Sequence, residues 1–177
     1  VTKQGVTRAY LVDSFVNGHE FQARQVERNT PVLVDLPEFK MYVRLNDHFI
    51  GAAIAHDKQY EPHVTRALRD TLSRGATFVD VGANIGYFTL LASKIVGPAG
   101  RVVAFEPNPD NCDLLRRSIA ANDFRAITLH QNAVAEARQT LHFATAGIDS
   151  NGRVVNAAQS AAEELIGFDF ESTRLNS

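Results

Sequence analysis

Residues Phe78–Phe88 read FVDVGANIGYF, and this stretch decides how the chain folds. An apolar run breaks at Gly82, passes through Ala83-Asn84-Ile85-Gly86, and turns apolar again. The first part, TFVDVG, reads as a strand whose mostly apolar residues predict burial on both faces, as in parallel sheets. The second, YFTLLASKIV, reads as an apolar helix ended near Gly97-Pro98. Working outward, RVVAFE is a second buried strand and NPDNCDLLRRSIAAN a helix, with Asn108 as cap and Pro109 in its first turn. AITLHQNAV is a third strand and QTLHFAT a shorter fourth. Strand, helix, strand, helix, strand is the order of a doubly wound α/β sheet.

Upstream, EPHVTRALRDTLSRG predicts a helix, with Pro62 at its first position, Val64, Leu68 and Leu72 every four residues, and Gly75 as its stop. VLVDL, KMYVRL and HFIGAAIA, separated by Pro37-Glu38 and Asn46-Asp47, predict two or three short antiparallel strands. Leu11, Val12 and Phe15 sit at helical spacing before Asn17-Gly18. The chain therefore divides into an N-terminal helical segment and linker (1–30), strands and a helix leading into the core (31–75), a ligand-binding half-domain (76–146), and a largely irregular exposed loop (147–177). A short helix is expected within that loop around Ala161–Ile166.

The turn after the first strand brings backbone N–H groups together, and Gly82 and Gly86 allow a ligand close approach. Asn84 suits a left-handed backbone where many nucleotide-binding turns place a glycine. Asp80 is the distinguishing residue, since a carboxylate beside two phosphates gains nothing, whereas a ligand ammonium gains an ion pair. Glu106 ends the second strand about 24 residues after Gly82, where an acid can accept ribose hydroxyls. Ammonium and ribose together describe S-adenosylmethionine. The plainer readings are Asp80 as a helix cap and Glu106 as a solvated strand end. A nicotinamide dinucleotide oxidoreductase also uses a glycine turn and a second-strand acid, although GANIG leaves out the third fingerprint glycine. A non-catalytic Rossmann-like binding or assembly module is the other alternative.

Pro31–Thr145, and above all DVGANIG, AFEPNP and the YEP of Tyr60–Pro62, resembles the FkbM family of S-adenosylmethionine-dependent methyltransferases. The resemblance implies a Rossmann-like methyltransferase sheet and O-methylation of a hydroxyl on a sugar or small metabolite. Carried onto this chain, it gives Asp80, Gly82, Asn84 and Gly86 to the methionine end of the cofactor. Glu106 goes to the ribose, Pro107 and Asn108 to the adenosine pocket, Asn132 and Ala133 to adenine, and Glu61 to an approach from the preceding segment. The family continues with a strand of the KIDVEG type that has no counterpart here, so the expectation is a fragment carrying an incomplete sheet. The first strand's far edge and apolar side would then lie open, or pair with another chain as in a homo-oligomer.

No catalytic base stands out: six histidines are scattered, His130 and His142 read as packed or edge residues, and Asp149 has no nameable partner. His56 and His63 flank YEP and read as surface residues. No metal-ligand spacing appears. A formal net charge of −2 recruits neither nucleic acid nor an anionic membrane, and leaves only room for a local basic patch. Arg116 and Arg117 read as the solvated face of a helix. The single Cys112 allows no intrachain disulfide, and no run suggests a membrane span or signal peptide. The expected setting is cytoplasmic and the expected partner a small-molecule or glycan acceptor.

Overall fold

The structure, a computed structural model, describes residues 29–137, 140–145, 152–155 and 166–174. The helix expected near the N-terminus, all of the short helix expected around Ala161–Ile166 except Ile166 itself, and Asp149 lie outside the described residues.

Strands β3 (Thr77–Val81), β4 (Arg101–Phe105) and β5 (Ile127–His130) form a parallel sheet in the order β3-β4-β5. Its register aligns Val79 with Val103 and Asp80 with Ala104, and Val103 with Thr128. The crossovers are α3 (Tyr87–Val96) and α4 (Pro109–Ala121). Leu90 and Leu91 of α3 and Leu114 and Leu115 of α4 are buried with Ala104 in one core. Burying such a side chain contributes roughly 1.5–3 kcal/mol. This is a Rossmann-like α/β arrangement.

Two expectations about β3 meet different ends. It does not lie buried on both faces: its burial alternates, with Val79 47% and Val81 56% exposed. Among the described residues it is an edge strand, paired only with β4. Apolar composition marked a strand made for burial, but packing covers only its inner face, where Phe78 meets a cluster of Ala92, Val96 and Val102 together with Leu68 and Leu72 of the preceding segment.

β1 (Val32–Asp35) and β2 (Lys40–Val43) pair as an antiparallel hairpin. It docks on α4 through its backbone. Ser118 Oγ accepts the Tyr42 N–H at 2.9 Å, while Asn122 accepts the Lys40 N–H and donates to the Lys40 carbonyl at 2.8 and 2.6 Å. The third candidate strand is instead helix α1 (Gly51–Asp57). Asp47 Oδ1 accepts the N–H groups of Phe49 and Ile50, winding the chain into a turn that the alanine-rich run continues.

Helix α2 (Pro62–Thr71) begins at its proline but ends before Gly75, with Leu72 as an extended C-cap. Gly75, at φ +81°, serves the next turn, donating its N–H to Val96 O at 2.8 Å. Leu68 and Leu72 of the expected stripe pack against the core, whereas Val64 is exposed and Thr65 is buried in the first turn.

The expected third strand splits into β5 and β6 (Ala133–Val134), and QTLHFAT becomes β7 (Thr140–Thr145). The expected irregular tail contains β8 (Gly152–Val155) and β9 (Ile166–Thr173). These four strands form a second sheet in the order β6-β9-β7-β8, with β7 antiparallel to both neighbours and β6 parallel to β9. The missed signal is the alternation Phe168, Asp169, Phe170, Glu171, a strand period in an otherwise polar segment. Among the described residues no helix is long and apolar enough to cross a membrane.

Candidate functional site

The site forms where β3 and β4 end and the glycine turn leads into α3. Asp80 alternates inward with Phe78, so its carboxylate reaches the first turn of the following helix. Thr89, the third residue of α3, donates its hydroxyl to Asp80 Oδ2 at 2.5 Å and its backbone N–H to the same carboxylate. Gly86, the N-cap, offers no side-chain cap. Asp80 therefore caps α3 from outside the helix, where its charge also complements the helix dipole. Burial pushes its pKa up, against the lowering effect of the two Thr89 bonds.

Glu106 follows β4 and is 4% exposed. Its Oε2 accepts the Asn84 N–H at 2.8 Å, and Oε1 accepts the Asn108 N–H at 2.9 Å and the Asn111 side-chain amide at 3.3 Å. One carboxylate thus ties the glycine turn to the start of α4. Glu106 is not a solvated strand end. A carboxylate offers about four acceptor positions, and three are used, which leaves room at Oε2 for one further donor rather than two. Burial raises its pKa most; the bonds to Asn108, Asn84 and Asn111 lower it, and the Asp80 charge raises it again.

The acids are thus electrostatically coupled across one turn. Neither has a cationic partner among the described residues. Both carboxylates are desolvated and the Asp80 charge further disfavours ionisation of Glu106, so an incoming cation relieves both.

The turn itself corrects an expectation. Its N–H groups are not free. Gly82 and Ala83 both donate to Phe105 O at 2.9 Å, Asn84 to Glu106, Ile85 to Asn84 Oδ1 at 2.6 Å, and Gly86 to Ala83 O. From Gly82 to Gly86 every amide is spent within the protein, so the turn offers an anion no cradle. Its backbone is left-handed at Gly82 (φ +79°), Asn84 (φ +54°) and Gly86 (φ +92°), the region that Asn84 was expected to tolerate. The two glycines differ in purpose. A Cβ on Gly82 would meet nothing within 4 Å, so its bare Cα faces open space. A Cβ on Gly86 would stand 2.2 Å from Leu115 Cδ1, so that glycine lets α3 and α4 close together.

The remaining predicted residues surround this core unevenly. Pro107 and Asn108 are buried, and Asn108 caps α4 by accepting the Asp110 N–H at 2.9 Å. Asn132 and Ala133 are half-buried at the entry to β6. Glu61 is the exposed N-cap of α2, at φ 39°. Its side chain takes the Tyr60 hydroxyl, whose pKa is raised first by burial and then by the Glu61 charge. The Tyr60 ring lies 5.8 Å from Tyr87 and 6.0 Å from Phe88, which joins the YEP segment to the first turn of α3.

Sequence reading missed Thr89 and Asn111, the side chains that hold the two acids. A β-branched hydroxyl three residues after Gly86 and an amide five after Glu106 were the available signals. His130 stacks on Phe105, with centroids 5.0 Å apart, and His142 bonds Asp169 at 2.8 Å across β7 and β9. His56 is exposed and bonds Asp57, and His63 is exposed. Arg117 pairs with Asp113 and Arg116 reaches Gln131, as a solvated helix face does. Among the described residues no group of three His, Cys, Asp or Glu side chains could hold a metal.

The profile of the Methyltransferase FkbM domain matches residues 80–174. The chain is 33% identical over 97 residues to Methyltransferase sdnD of Sordaria araneosa, covering 54% of this chain and 34% of that protein. It thus spans about a third of the length of that curated relative. Similar solved structures include P. horikoshii TYW2 in complex with MeSAdo (TM-score 0.45, 14% identity, 68% of this chain and 50% of that one). Precorrin-6y C5,15-methyltransferase of Geobacter metallireducens is another (TM-score 0.37, 25% identity, 45% and 41%).

Proposed function

The chain belongs to the FkbM methyltransferase family, and from that premise we propose that it binds S-adenosylmethionine at the β3–β4 tips and methylates a hydroxyl of a sugar or small metabolite. The observation that carries the cofactor reading is the coupled, desolvated pair Asp80 and Glu106, which lacks a cation among the described residues. A ligand with an ammonium beside Asp80 and a ribose hydroxyl at Glu106 Oε2 supplies the missing charge and the last donor. Gly82 admits it, because a side chain there would occupy the open space. When bound, the cofactor supplies an electrophilic methyl group.

The residues of this chain bind and orient. Asp80 stays rigid through Thr89, and Glu106 through Asn84, Asn108 and Asn111, so neither acid must be ordered on binding. Pro107 and Asn108 flank the ribose end, and Asn132 and Ala133 the adenine end. Methyl transfer further needs an acceptor oxygen held in line with the methyl group. Glu61, exposed and hydrogen-bonded to Tyr60, would meet the cofactor from the N-terminal side. The engaged amides of the turn weigh against a dinucleotide, whose pyrophosphate needs free N–H donors.

The open edge and the exposed Val79 and Val81 of β3 favour a second reading, in which this segment also pairs with another chain. The cofactor reading is tested by calorimetric titration of S-adenosylhomocysteine into wild type, Asp80→Ala and Glu106→Ala. Both variants should bind at least about tenfold more weakly. Wild-type affinity in both, or tight NADH binding with none of S-adenosylhomocysteine, would overturn it.

A further inference from the structure

The second feature of note lies at the opposite end of the parallel sheet. A cavity of about 470 Å³ opens where the chain enters β3, leaves α3 for β4, and leaves α4 for β5. Arg74, Lys94 and Arg125 line it, together with Phe124 and Pro98. Its volume lies within the range of small-molecule sites, about 300–1,000 Å³.

The charge here runs against the chain as a whole. Formal net charge is −2, yet three cations and a single acid, Asp123, meet at this cavity. Asp123 is engaged by Arg125, at 3.2 and 3.4 Å. Arg74 and Lys94 have no carboxylate partner among the described residues. Cations near a helix C-terminus often serve its last carbonyls. At the end of α3 that need is partly met, since Gly97 N–H bonds Ser93 O at 3.0 Å and Gly75 N–H bonds Val96 O at 2.8 Å. Lys94 and Arg74 therefore retain donors that face a concave space with an aromatic wall.

We propose that this cavity is a second ligand site, which takes the phosphate of a nucleotide-sized anion between Arg74 and Lys94 and its ring against Phe124. A guanidinium fork and an ammonium match phosphate oxygens, and an aromatic side chain gives a flat ring a stacking partner. The site is remote from the glycine turn and does not depend on the cofactor reading.

The test is calorimetric titration of the full chain with AMP, adenosine and inorganic phosphate, repeated with Arg74→Gln and Lys94→Gln and, should either unfold, with Arg74→Ala or Lys94→Ala in its place. AMP should bind, with adenosine and phosphate each about tenfold weaker or more. Each cation removed should weaken AMP about tenfold, and S-adenosylhomocysteine affinity should stay unchanged. Raised salt should weaken AMP as well. The proposal falls if AMP does not bind, if its affinity ignores the cation variants, or if it is lost in Asp80→Asn and competes with S-adenosylhomocysteine.

Discussion

Two glycines in one turn should fail in different ways when given the same methyl group. Gly82→Ala adds a Cβ that meets no protein atom, at φ +79°. Left-handed backbone costs an L-residue about 1–2 kcal/mol, and the stiffer unfolded chain returns about 0.4–1, for a net loss near 1 kcal/mol. Gly86→Ala carries the same backbone cost at φ +92° and adds a contact of 2.2 Å with Leu115, whose side chain is fully buried. Overpacking of that kind costs about 1–3 kcal/mol more, for a total of roughly 2–4. That is a large share of a typical stability of about 5–15 kcal/mol. Urea unfolding measures the stabilities, with m held constant as the check on mechanism. Titration with S-adenosylhomocysteine measures binding. The expected pattern is crossed: Gly86→Ala is the less stable variant but binds once folded, whereas Gly82→Ala is nearly native in stability and binds at least about tenfold more weakly. A Gly82→Ala protein with wild-type affinity would show that the open space is not used. Equal stabilities would show that α3 and α4 do not meet through Gly86.

Three further outcomes follow from the same geometry. Glu106→Ala leaves the Asn84 and Asn108 amides without their acceptor, and should lower stability by about 1–3 kcal/mol in urea unfolding, whereas exposed Glu61→Ala should not. Burial raises both Asp80 and Glu106, so the folded chain holds their protons more tightly than the unfolded chain, where carboxyls titrate near about 4. Their contribution to the unliganded chain's stability is therefore present below that range and lost as pH rises through the raised folded values, while S-adenosylhomocysteine affinity rises over the same window. Melting and titration series across pH would show the two opposite trends. Burial pushes the Cys112 thiol up to about 12, so iodoacetamide should leave it unlabelled at neutral pH until the chain unfolds.

Much of the fold and part of the site were legible because local chemistry and tertiary packing agree there. Around Gly82 the apolar run, the turn and the following helix each point to the same strand–turn–helix unit, and Asn108-Pro109 marks α4 without help from packing. Where a segment's state is set by hydrogen-bond partners outside it, sequence reading failed. The run HFIGAAIA carries no period that separates strand from helix, and the bond from Asp47 decides it. β9 is a strand because β7 lies beside it. At the site, the residue types of Asp80 and Glu106 were visible, but their hydrogen-bond partners were not. Thr89 and Asn111 become relevant only once the helices fold back, and the Gly82 and Ala83 amides of the turn are spent on Phe105, a residue of the next strand.

The charge at Asp80 can be isolated by comparing two ligands that differ in their amino-acid arm. S-adenosylhomocysteine carries the ammonium, and 5′-methylthioadenosine keeps the adenosine without it. Titrated into wild type and Asp80→Asn, the first should lose about tenfold or more in the variant and the second should be unchanged. Equal losses for both ligands, or no loss for either, would contradict an ion pair between Asp80 and the bound cofactor.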